Sequence, residues 1–303
     1  MIEHVLCARD FSPSSERALS YALEIVERTG ATLHLMHVEE IPLGPFVQGD
    51  PSPTPDDQVL QRRFEERCRE DLAALPSTPD EDRLTFVAIR SGAAAPALVR
   101  YAKEHEVDLV AMGTQGRRGV ERALSGSVAE EVLRTAPCPV LTTRAIQRED
   151  TGSHDPDPID QVVAPVDFSE PSRAALQYAA RLSSIYEVPL TLIHAVHVPK
   201  LPPAYGFEFS AASQQDLVER VQSELEAWRE DLAPEANDGS CVVKTGNPVS
   251  SILDAASTPG GLLVMATRGL TGVKRTMLGS VAEGVLRQAT GPVLSGRSFP
   301  TSS

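Results

Sequence analysis

The chain has few aromatic side chains (5%), one tryptophan and four cysteines, none of them in a CxxC pair. Cys7, Cys68, Cys138 and Cys241 lie far apart, which argues against a zinc ribbon or a redox dithiol and fits a reducing cytoplasm. No apolar run approaches the roughly 20 residues that a membrane-spanning helix needs. The opening MIEHVLCARD also lacks the basic stretch and apolar core of a signal peptide. A soluble, cytoplasmic protein with no membrane insertion is expected. There is no run of Lys and Arg to act as a basic arm, and the net charge of −14 opposes a phosphodiester backbone at long range, so nucleic acid is not an expected partner. Two common phosphate motifs, GxxxxGK[ST] and GxGxxG, are missing, as is the G-x-S-x-G elbow of serine hydrolases.

What the sequence does contain is itself, twice. DFSPSSERALSYALEIVERTG from Asp10 matches DFSEPSRAALQYAARLSSIYE from Asp167, and LSGSVAEEVLRTAPCPVL from Leu124 matches LGSVAEGVLRQATGPVL from Leu278. A chain of 303 residues exceeds one comfortable core. The expected organisation is therefore two domains, residues 1–143 and 159–297, joined by a polar, Pro- and Gly-containing linker at 144–158. Within each copy, short apolar runs alternate with helix-like stretches. The runs are Val5–Ala8, Ala31–Val38, Leu84–Ile89, Leu109–Met112 and Pro139–Thr142, and again Val162–Val166, Leu190–Val198, Cys241–Lys244, Leu262–Met265 and Pro292–Leu294. Strands alternating with helices imply βαβ units, so the fold class is α/β: two tandem open, Rossmann-like parallel sheets with helices on both faces.

In such sheets ligands sit beyond the carboxyl ends of the strands, where strand order reverses. Asp10 follows the first strand, and GTQGRRGVERALSGS (Gly113 to Ser127) follows the fourth. A glycine loop entering a helix N-terminus offers backbone N–H groups and a positive dipole end, which suits a phosphate. Arg117, Arg118 and Arg122 in this loop, and Arg268, Lys274 and Arg275 in its repeat, add the matching charge. A structural alternative stands beside this: Ser127-Val-Ala-Glu130 and Ser280-Val-Ala-Glu283 read as capping boxes, and Asp10 and Asp167 as Asx-turn residues.

The spacing Gly-x-x-Gly, nine residues, Gly-Ser, after an apolar strand ending in Met and before VAEEVLRTAPCPVL, resembles the universal stress protein family. The resemblance covers nearly the whole chain as two tandem domains. It implies a five-stranded parallel sheet in each and, for members with this glycine motif, bound ATP, with Mg²⁺ as its companion. Carried over, Gly113, Gly116, Gly126 and Ser127 would hold the phosphates and ribose, with Val128 as a further backbone contact. Asp10, Val38 and Met112 would line the adenine pocket. The second copy supplies Gly269, Gly279, Ser280 and Val281 for the phosphates, and Asp167 and Met265 for the base. Ala266 stands where the first copy has Gly113, and its added Cβ is expected to weaken this site at most, unless that position needs positive φ. Ala195 replaces Val38 there and thins the wall.

The resemblance also implies that the last strands, Val140–Thr142 and Val293–Ser295, meet about a pseudo-two-fold, an arrangement compatible with a homodimer. His34/His37 and His194/His197 read as HxxH, but residues three apart on a strand face opposite ways, so no metal is expected. Glu39-Glu40 and Asp56-Asp57 read as solvated surface, and Trp228 as a packing residue. The leading function is an ATP-binding regulatory module of the stress response. Slow ATP hydrolysis or phosphate transfer, and a nucleotide-free signalling dimer, are the alternatives. No dedicated catalytic residue is identified, because no acid stands at the phosphate end to position a metal.

Overall fold

The computed structural model describes residues 2–41, 54–75, 78–114, 127–145, 158–196, 211–236, 238–258, 260–269 and 278–300. The chain divides into two compact units, Met1–Pro156 and Asp157–Ser303.

The first unit runs β1 (His4–Ala8), α1 (Pro13–Thr29), β2 (Thr32–Glu40), α2 (Pro55–Ala73), β3 (Leu84–Ser91), α3 (Ala94–Glu104), β4 (Leu109–Gly113), α4 (Ser127–Thr135) and β5 (Val140–Thr143). The second runs β6 (Gln161–Pro165), α5 (Glu170–Tyr186), β7 (Leu190–Val196), α6 (Ala211–Leu232), β8 (Cys241–Thr245), α7 (Pro248–Ala255), β9 (Gly261–Ala266), α8 (Ser280–Gln288) and β10 (Val293–Gly296). Every pairing within a unit is parallel, in the orders β3-β2-β1-β4-β5 and β10-β9-β6-β7-β8. Parallel strands covered on both faces are continuous apolar runs. Leu109, Val110, Ala111 and Met112 in β4 are all buried, as are their counterparts Leu262 to Met265 in β9.

Local chemistry sets the helix ends. Ser12 caps α1 through Ser15 N–H with Pro13 at the first turn, and Ser169 caps α5 through Ser172 N–H in the same way. Gly30 ends α1 in the left-handed region (φ 73°), where glycine carries no Cβ penalty. Its counterpart Glu187 adopts φ 58° with a side chain, at a cost of about 1 kcal/mol.

A buried guanidinium ties the first unit together. Arg9, with its side chain fully buried, donates to both carboxylate oxygens of Glu16 on α1 at 2.9 and 3.0 Å and to Asp71 on α2 at 2.8 Å. The second unit solves the same junction differently. Val166 stands in the place of Arg9, and Arg173, in the place of Glu16, reaches Asp231 of α6 at 3.6 Å. The cation has moved from strand to helix.

Burial pushes the thiols of Cys7, Cys68 and Cys138 up to about 12. At neutral pH they are protonated and poor nucleophiles. No helix among the described residues is long and apolar enough to cross a membrane.

Candidate functional site

Strand order reverses between β1 and β4 in the first unit and between β6 and β9 in the second, and the open sheet leaves a crevice at that point. Asp10 and Gly113 stand at the carboxyl ends of the first pair, Asp167 and Ala266 at those of the second. Met112 and Met265 are buried one residue before, and Val38 is half-buried near the end of β2. The aspartates and strand-end residues expected from the sequence thus lie at the switch point of each unit.

The Asp-Phe-Ser turn repeats bond for bond. Asp10 Oδ1 accepts from the Ser12 N–H at 3.0 Å and from the Ser12 hydroxyl at 2.6 Å. Asp167 does the same with Ser169 at 3.1 and 2.5 Å. The Asx-turn reading is correct, and it engages Oδ1. The intervening residue is held at positive φ in both units, 59° at Phe11 and 61° at Phe168. A bulky side chain pays for that conformation and persists in it only where its surroundings over-determine it. Phe11 is met by the Phe64 ring edge-on at 6.0 Å, by His37 at 6.0 Å, and by the Arg9 guanidinium 5.1 Å from its centroid. Phe168 is met by His194 at 4.9 Å and edge-on by Trp228 at 5.2 Å, so Trp228 is a packing residue as expected.

The glycines act by closeness. Gly113 is not among the positive-φ residues, so its conformation leaves alanine open. Its constraint is Ser14: a Cβ would come 2.8 Å from the Ser14 carbonyl carbon. In the second unit Pro171 takes the place of Ser14, and Ala266 sits in β9. A Cβ on Gly269 would overlap Asp167 Oδ2, so that backbone lies directly against the carboxylate. Gly279 is the N-cap of α8 (φ −67°, ψ 147°), and no side chain caps the helix there. Ser280 is the first helical residue, and the Glu283 N–H bonds to the Gly279 carbonyl at 2.8 Å. The capping-box reading of Ser280 is therefore corrected: the serine stands one position too far into the helix to be the cap. The neighbouring helices α5 and α7 are capped by Ser169 and Asn247, whereas the N-cap of α8 is a glycine with no side chain of its own to bond the first N–H groups, followed by Ser280 and Val281, the arrangement an anion would use. Ser127 likewise opens α4, with Val128 next. Gly116, Arg117 and Gly126 lie outside the described residues.

The histidines fall on opposite faces of β2, as strand alternation requires. His37 stacks on Phe64 of α2, with ring centroids 5.8 Å apart, while His34 meets Tyr101 of α3. No group of three or more His, Cys, Asp and Glu among the described residues could hold a metal ion. One histidine relation could not be read from HxxH. Register pairs Ala8 with Met36 and Pro165 with Ile193, which makes His194 the counterpart of His37 and Thr191 that of His34. His37 Nδ1 donates to Arg9 O at 2.6 Å, and His194 Nδ1 to Val166 O at 2.7 Å.

His34 is buried, with Tyr101 Oη 2.9 Å from its Nδ1 and His4 Nδ1 3.1 Å from its Nε2. Burial, then the neighbouring His4 and His105, pull it down to about 4. The unfolded ring titrates near 6.5 and so binds more protons than the native one between pH 6.5 and 4, which means stability falls as pH falls through that window. We expect a loss of about 1–2 kcal/mol between pH 7 and 5, at 1.4 kcal/mol per pK unit and allowing for water around the cluster. Urea titrations of the parent and of His34→Thr would show it: the variant should have the flatter pH dependence, and equal slopes would refute this assignment.

The acidic pairs are more engaged than solvated surface. Arg90 on β3 reaches Glu39 at 2.7 Å, with Asp56 and Asp57 at 3.5 and 3.8 Å. Asp57 also accepts from the Thr54 N–H and hydroxyl, which holds its carboxyl below the usual range. Glu40 accepts from the Ala94 N–H at 2.9 Å, at the start of α3.

Residues 1–144 and 158–295 each match the family model described as "Universal stress protein family". A universal stress protein of Thermus aquaticus is 34% identical over 146 residues, 48% of this chain and all of its own. One from Mycobacterium tuberculosis is 32% identical over 205 residues, 67% of this chain and 65% of its own. A crystal structure of a universal stress protein from Archaeoglobus fulgidus superposes over 98% of this chain and 100% of its own with a TM-score of 0.65, at 19% identity. That last likeness concerns fold.

Proposed function

This chain belongs to the universal stress protein family, and on that footing we propose that it binds ATP at the switch point of each unit and works as a nucleotide-dependent regulatory module. The observation that carries the reading is the juxtaposition in the second unit. The Gly269 backbone lies against the Asp167 carboxylate, and the glycine-capped N-terminus of α8 follows. The carboxylate end suits a base amino group, and the helix end suits phosphate. ATP, with Mg²⁺ on its phosphates, fits both. Asp10, Val38, Met112, Gly113, Gly116, Arg117, Gly126, Ser127 and Val128 form the first site; Asp167, Met265, Ala266, Gly269, Gly279, Ser280 and Val281 form the second.

The test is calorimetric titration of nucleotide-free protein with ATP and Mg²⁺, for the parent, Gly126→Val and Gly279→Val. Two sites in the parent and one in each variant are expected. No heat of binding in the parent would end the ATP reading and leave a scaffold. Loss through Gly126→Val alone would make the second unit a structural partner. We assign no residue a role in dedicated catalysis. The limits 1–143 and 159–297, the cytoplasmic location and the meeting of the two terminal strands belong to the same proposal.

A further inference from the structure

We propose that His37 and His194 are positioning residues for nucleotide base recognition: each ring pins the peptide immediately before the site aspartate. This inference rests on the ATP reading above. The last backbone bond from the first strand to the second in each unit is Arg9 N–H to Met36 O at 2.7 Å, or Val166 N–H to Ile193 O at 2.8 Å. Past that rung the strand turns away, and its final carbonyl is met by an imidazole, at 2.6 Å in one unit and 2.7 Å in the other. A carbonyl only accepts, so Nδ1 must donate, and this fixes the ring tautomer with Nδ1 protonated. On the far side of the aspartate, the Asx-turn to Ser12 or Ser169 fixes the next stretch. The aspartate is thus clamped between two anchored segments, with the positive-φ phenylalanine packed against the same ring.

The repeat shows that this clamp is not mere filler. Around it the two units have diverged: Arg9 against Val166, Ser14 against Pro171, Val38 against Ala195, Gly113 against Ala266. His34 has become Thr191. The Asp, Phe, Ser and His remain, with matching bonds. Recognition groups need their own orientation held by supporting hydrogen bonds, since a displacement of about 1 Å forfeits affinity. A ring that only filled space could be exchanged for an apolar side chain, as Arg9 and Val166 are exchanged beside it.

The test uses the full chain with the second site blocked by Gly279→Val, so that one site remains, titrated with ATP and with inorganic triphosphate. His37→Leu is expected to weaken ATP at least tenfold and triphosphate less than threefold, because the base end alone loses its alignment. His37→Asn, whose amide can donate from nearly the position of Nδ1, is expected to bind ATP within threefold of the parent. Parent-like ATP binding by the leucine variant overturns the proposal, as does equal loss of both ligands, which would mean simple collapse. If the leucine variant does not fold, the asparagine variant decides: tenfold weaker ATP binding in a folded protein refutes the positioning role. A parent that takes up no ATP overturns the nucleotide reading and this inference together, whereas a parent that binds and a leucine variant that binds equally overturn only this one.

Discussion

Gly269→Ala is expected to abolish ATP binding at the second site while leaving the unit folded. The new Cβ would overlap Asp167 Oδ2. The carboxylate cannot simply rotate away, because Oδ1 holds both the N–H and the hydroxyl of Ser169. Either those bonds break or the loop backs off, and in both cases the base end separates from the phosphate end. Overpacking of this kind costs about 1–3 kcal/mol, which a unit of this size survives. Calorimetry should report one site where the parent has two, with a melting temperature lower by only a few degrees, at about 2–4 °C per kcal/mol. The stability costs of Gly269→Ala and Asp167→Ala should not add, since removing the carboxylate removes the clash. Additive costs, or two sites surviving in Gly269→Ala, would show that the loop does not work against the aspartate.

Arg9→Met should produce the largest loss of stability. The methionine fills much of the same volume, but Glu16 and Asp71 lose the cation that both face. Removing one member of a fully buried ionic cluster costs about 3–5 kcal/mol. Glu16 and Asp71 are 38% and 21% exposed and keep some water, so we expect about 2–3 kcal/mol. Thermal melts should show the first unit unfolding roughly 5–10 °C earlier at neutral pH. The second unit supplies its own control. Arg9→Val with Glu16→Arg rebuilds the Val166, Arg173 and Asp231 arrangement, and should recover at least half of the loss through a pair with Asp71. A parent-like melt of Arg9→Met would mean that the guanidinium contributes nothing beyond its own burial.

Most of the architecture could be read directly, and the reason is physical. Strands buried on both faces must be apolar throughout, and Leu109 to Met112 or Leu262 to Met265 have no other use for such runs. The duplication then supplied a second reading of every element. What escaped depended on neighbours distant in sequence. Glu39 and Asp57 look solvated until β2 and β3 are paired and Arg90 arrives between them. Arg9 follows a strand and reads as a surface charge, yet two helices close over it. The left-handed Phe11 runs against residue preference and is stabilised by rings from β2 and α2. At Ser280 the S-x-x-E pattern misled by one position, because the glycine before it already serves as the cap. The HxxH spacing pairs His37 with His34 and His194 with His197, whereas sheet register aligns His37 and His194 with each other.

The exchanged ion pair also means that single residues cannot be traded between the halves. Glu16 carried into the second unit without Arg9 would set a carboxylate facing Asp231 in place of the Arg173 guanidinium. The reverse exchange, an arginine at position 16 while Arg9 stays, would crowd two guanidinium groups at one junction. Positions 9 and 16 are therefore exchangeable with 166 and 173 only as a pair, and a mismatch would weigh more in the first unit, where Arg9 is fully buried, than in the second, where Arg173 and Asp231 are more exposed.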